Sequence, residues 1–207
     1  YSITVPGACM GWHDLLQRHG TMTLKQVLIE PIAYARNGYP VQPVFGAAWQ
    51  MSEPVLAVGV NTEDYLPGGR APGVGQVVRL PGLAQTFEQV AEGGPEAFYD
   101  GLVAEAIIKT LEPLGNLMTR DDLRAHRSTW GDPISTDYRG VTVYEHPPNG
   151  QGLAALISLN IAEGWSVGNW AWDSPERIHL TVEAMRLAFA DARRYISDPE
   201  RVRVPVK

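Results

Sequence analysis

Tyr138-Arg139-Gly140-Val141-Thr142-Val143-Tyr144-Glu145-His146-Pro147-Pro148-Asn149-Gly150-Gln151-Gly152-Leu153 holds the sharpest change of pattern in this chain. Val141, Val143 and the neighbouring aromatics alternate with polar residues, which predicts a strand. Pro147-Pro148 stops the ladder, because proline has no N–H to give and fixes its own φ. Asn149-Gly150-Gln151-Gly152 then reads as a turn able to take positive φ twice. The run Leu153 to Ala162 that follows is apolar on nearly every side, as a helix enclosed between other layers must be. The expected centre of the domain is thus a strand, a glycine turn and a buried helix.

Composition sets the outer bounds. With 207 residues, 44% of them hydrophobic and 19% charged, the chain can build one large domain or two small ones. A formal net charge of -6 argues against a nucleic-acid partner, which needs a basic face. A single cysteine, Cys9, rules out an internal disulfide framework and a Cys-based metal site. There is no window of eighteen apolar residues, so this segment carries no membrane span. The opening Tyr1-Ser2-Ile3-Thr4-Val5-Pro6-Gly7 and the closing Val204-Pro205-Val206-Lys207 are abrupt, and the chain reads as a piece of a longer polypeptide.

Helical periodicity dominates elsewhere. Trp12, Leu15, Leu16 and His19 share one face of a helix over Ala8 to His19, ended by Gly20. Thr23 and Gln26 have capping-box spacing. Pro31 is expected to close that helix and open another to Arg36, with Asn37-Gly38 in the left-handed region. A further helix is expected around Val44 to Met51. Residues 57 to 79, broken by Gly68-Gly69, Pro72-Gly73 and Gly75, read as a surface excursion or short hairpin. Helices follow from Pro81, broken at Gly93-Gly94-Pro95, and from Tyr99 to Leu111, ended by Gly115. Thr119 with Asp122 caps a short helix to His126. Ser174-Pro175-Glu176 opens the last, with Ile178, Val182, Met185, Phe189, Ala192 and Ile196 on its apolar face and Leu180 and Leu187 widening it. The total is seven or eight helices and few strands.

Local chemistry is sparse. Asn149-Gly150-Gln151-Gly152 sits where backbone N–H groups can hold an anion, but it lacks the spacing of either phosphate motif and reads first as a helix-entry turn. Cys9 and His13 are four apart on a helix, where a buried structural thiol is favoured over a nucleophile. His13, His19, His126, His146 and His179 are scattered without ligand spacing, so no metal is expected. Asp121-Asp122 and Asp198 with Glu200 read as helix-end caps rather than paired catalytic carboxylates. Trp165, Trp170 and Trp172 read as plugs for a core edge, with a ligand surface as the competing reading. No cofactor is implied, and no catalytic residue is assigned.

The order of motifs resembles the γ-glutamyltransferases (γ-glutamyltranspeptidases) and their acylase relatives. The likeness is carried by Val5-Pro6-Gly7-Ala8 with Gly11-Trp12, Ala35-Arg36-Asn37-Gly38-Tyr39-Pro40-Val41, Leu83-Ala84-Gln85-Thr86-Phe87 and Gly94 to Gly101. It continues through Met118 to His126, Pro133 to Gly140, Tyr144 to Pro148 and Glu183 to Arg193, with Asp198-Pro199 after them.

That resemblance implies an α+β fold, the αββα sandwich of N-terminal-nucleophile hydrolases, of which this segment supplies mainly the helical large-subunit part, 1–207, without separate domains. It implies a partner: a small subunit from the same precursor, carrying the catalytic Thr at its new N-terminus. It further implies a small amide or γ-glutamyl substrate, with the acyl group passed to water or an amino acid. Thr4, Thr21, Thr119 and Thr129 are not candidates for the nucleophile, and the family's carboxylate-gripping Arg falls outside this segment. Where γ-glutamyl enzymes have prolines followed by Ser and Gly-Gly, this chain has Pro148-Asn149-Gly150-Gln151-Gly152, a form more similar to the acylases. Asn149, Gly150, Gln151 and Gly152 are the expected substrate contacts. The resemblance favours a periplasmic or secreted address and leaves a cytoplasmic one open. A non-catalytic helical binding module is the competing class.

Overall fold

Helix α1 (Ala8–His19) begins at Gly7, which has no side chain to cap it. Tyr99 does so from a distance. Its hydroxyl accepts from the Met10 N–H at 3.2 Å and donates to the Pro6 carbonyl at 2.6 Å. His126 stacks on the Tyr99 ring, 5.2 Å between centroids. The computed structural model describes residues 3–206; Tyr1, Ser2 and Lys207, named above at the abrupt ends, lie outside the described residues. The chain folds as two compact units, the first reaching to Ser128 and the second starting at Thr129.

In the first unit α2 (Leu24–Val27) carries the expected reciprocal capping box between Thr23 and Gln26. The break to α3 (Ile29–Asn37) falls at Leu28, upstream of Pro31. The first-turn N–H groups of a helix have no intrahelical acceptor, so a proline there loses nothing and the helix can begin before it. Gly38 has φ 93° but ψ 163°, outside the left-handed helical region expected for it. Its peptide lies so close to the next ribbon that a Cβ would stand 2.6 Å from Val77 Cγ1. That ribbon is β1 (Tyr39–Pro40) paired antiparallel with β2 (Val77–Val78). Between them α4 (Pro43–Leu56) runs past the expected end at Met51.

Helix α5 (Pro81–Tyr99) is kinked at Gly94 (φ 67°, ψ -160°), inside the predicted Gly93-Gly94-Pro95 break. Helix α6 (Leu102–Leu111) starts after Tyr99, and Gly115 in the left-handed region closes the 3₁₀ turn that follows. Helix α7 (Arg120–Ala125) has the Thr119–Asp122 box. One core cluster gathers Cys9, Leu28, Val90, Tyr99, Ala104 and Leu123; a second gathers Ala35, Val41, Trp49, Val78, Leu80 and Ala84. Tyr99→Phe removes the borrowed cap and is expected to cost about 1 kcal/mol, read as a lower urea midpoint with an unchanged m-value.

An ion-pair network ties α7 to the end of α5 and the start of α6. Arg124 meets Asp100 at 2.8 Å and Asp121 at 3.0 Å, and Arg120 meets Glu105 at 3.1 Å. The Arg124 hydrogen bond, with the charges of Arg124 and Arg120, lowers the Asp100 carboxyl pKa. Hydrogen bonds from Thr119 lower that of Asp122. A carboxyl depressed in the folded state contributes above its unfolded pKa and loses that contribution as pH falls through the folded one. Stability is therefore expected to decline below about pH 4. Asp100→Asn should be less stable at neutral pH and lose less on acidification, as denaturant midpoints measured against pH would report.

In the second unit β3 (Ile134–Tyr138) and β4 (Val141–Glu145) pair antiparallel, Thr136 opposite Val143 and Ile134 opposite Glu145. The two-residue turn is Arg139 (φ 52°) and Gly140 (φ 80°), both left-handed, as the type I′ geometry that matches strand twist requires. Helix α8 (Gly152–Glu163) packs on this hairpin and on α9 (Pro175–Tyr195). Ser174 caps α9 as predicted, its hydroxyl accepting from the Arg177 N–H. The buried stripe of α9 is Leu180, Ala184, Ala188 and Ala192, while Ile178, Val182, Met185 and Leu187 are exposed. Small residues win that face because they let α8 approach closely: Ala154 of α8 meets Ala188 and Ala192, with Ile157, Phe189 and Ile196 around them. Trp172 is 80% exposed, so the reading of it as a core plug fails within this unit.

Candidate functional site

The predicted strand–turn–helix is present, and its details differ from the expectation in one instructive way. Neither Gly150 nor Gly152 has a positive φ. Gly150 is open to space, with nothing within 4 Å of where a Cβ would stand. Gly152 is needed for proximity instead. A Cβ there would lie 2.8 Å from both the Glu145 Cβ and the His146 carbonyl oxygen, and 2.9 Å from Glu145 Oε2. The end of β4 and the first residue of α8 are thus pressed together, with Pro147 to Gln151 looped out between them. Asn149, Gly150 and Gln151 are exposed and Gly152 is half-buried, so the four residues form one accessible rim.

Helix α8 opens on Gln151, which offers no side-chain cap, and its first turn holds no acidic residue. The nearby charge is Glu145. Sequence reading passed it over as a strand end, although alternation places it on the same half-buried side as Val143. A carboxylate beside the first turn of a helix is favoured by the helix dipole. It biases the rim toward an amine or amide N–H and against a bare anion.

Side-chain hydrogen bonds join the hairpin to α8. Thr136 donates to the Asn160 side-chain oxygen of α8. At the other end of the hairpin Arg139 donates through its guanidinium to the Trp165 carbonyl at 2.6 Å and through its N–H to Glu163 at 3.4 Å. These hydrogen bonds tie the hairpin to the C-terminal end of α8, while the close approach at Gly152 sets its N-terminal end against β4.

The other candidates take structural places. Cys9 is buried, and burial pushes its thiol up to about 11, the opposite of what a thiolate nucleophile needs. Asp122 completes its capping box and Asp121 pairs with Arg124. Asp198 does not cap α9, which ends at Tyr195; it accepts from the Glu200 N–H at 2.9 Å in the turn that follows. His146 is exposed beyond β4.

The solved structures with this arrangement share one architecture. A cephalosporin acylase from Bacillus halodurans superposes with a TM-score of 0.87 and 38% identity, over 99% of this chain and 39% of that one. The Helicobacter pylori gamma-glutamyltranspeptidase does so with a TM-score of 0.86 and 28% identity, over 97% of this chain and 58% of that one. The fold is the largely helical portion of an α+β N-terminal-nucleophile hydrolase. In sequence, a glutathione hydrolase-like YwrD proenzyme of Bacillus subtilis is 36% identical over 207 residues, all of this chain and 39% of the relative. The family model described as Gamma-glutamyltranspeptidase matches residues 1–207, and the chain belongs to that family. It spans about two-fifths of the length of that relative.

Proposed function

We propose that these residues are the large-subunit scaffold of an amide-bond hydrolase or acyltransferase whose nucleophile is a threonine elsewhere in the same precursor. The observation that carries the reading is the family match across the whole chain, together with a superposition of 0.87 on an acylase. Self-cleavage frees the threonine, and its α-amino group serves as the base its weakly acidic hydroxyl requires. The hydroxyl oxygen attacks the amide carbonyl. The C–N bond breaks, the amine leaves with the proton, and the acyl group rests as an ester on threonine. Water or an amino-acid amine then takes it. The small subunit carrying that threonine is the proposed partner. In this scheme Asn149, Gly150, Gln151 and Gly152 border the acyl pocket, with Glu145 behind them.

The first reading of the substrate is a γ-glutamyl amide of the glutathione type. A second is favoured by one observation: the acylase shares 38% of its residues with this chain, the gamma-glutamyltranspeptidase 28%, at nearly equal superposition. Full-length protein assayed with γ-glutamyl, β-lactam-side-chain and small oxalyl amides separates the two. Alanine at the processing threonine is expected to leave the precursor uncut and inactive. Mass spectrometry of the purified protein showing one uncut chain, with no turnover of any amide, would overturn the enzyme reading in favour of a binding module.

A further inference from the structure

We draw no further inference here: the strongest candidate, the outward apolar face of helix α4 with Val44, Met51 and Val55 exposed while Gly46 and Trp49 are buried, is unpartnered, and nothing in the structure shows what covers it.

Discussion

Gly152→Ala is expected to cost the intact protein about 2 kcal/mol and to lower its activity on an amide substrate at least tenfold. The added methyl meets the Glu145 Cβ and the His146 carbonyl, both at 2.8 Å, and the carbonyl is backbone that cannot swing aside. Either β4 loses its last residue or α8 backs away from the hairpin. Both movements displace the rim of Asn149, Gly150 and Gln151. Gly150→Ala is the matched control, because it meets nothing and needs no special φ. It should leave stability within about 0.5 kcal/mol or raise it slightly by stiffening the unfolded chain. Equal effects from the two substitutions, in denaturant melts and in kcat/KM, would remove the rim from the site.

Ala188→Leu is expected to be the more damaging change to folding, at about 3 kcal/mol. Ala188 is 0% exposed and packs against Ala154 across the α8–α9 contact, where close-packed neighbours leave no room for three more carbons. Ala190→Leu, on the exposed side of the same helix, should stay within about 0.5 kcal/mol. The pair separates crowding from any change in helix propensity, since both exchanges are identical in sequence terms. Guanidinium unfolding of the intact protein reports the difference, and a small effect at Ala188 would mean that α8 and α9 are not tightly docked.

What could be read beforehand follows from which forces act locally. Capping boxes at Thr23 and Thr119, and the cap at Ser174, depend on a few neighbouring residues, and the structure has them as expected. The Gly93-Gly94-Pro95 break was legible for the same reason. Partners distant in sequence were not. Tyr99 capping α1, and Gly38 crowded by Val77, rest on contacts that no local window contains. The hairpin turn was missed because Arg139 does not advertise a left-handed φ, although Gly140 after it does. Large apolar residues drew the expected face of α9 toward Ile178, Val182 and Met185, whereas close helix approach rewards alanine. At the candidate site the elements were legible and the reason for Gly152 was not: a glycine kept for proximity looks the same in sequence as one kept for φ. Glu145 could have been noticed, since alternation alone sets it beside Val143.

The order of contacts in the second unit bears on how the protein is made. Hairpin, α8 and α9 each pack on elements adjacent to them in the chain. Contacts of that kind close short loops and form early, without waiting for distant sequence. During synthesis this unit can therefore assemble on leaving the ribosome, from its own contacts alone. The turn at Pro148 to Gly152 would then be set as soon as α8 docks on the hairpin.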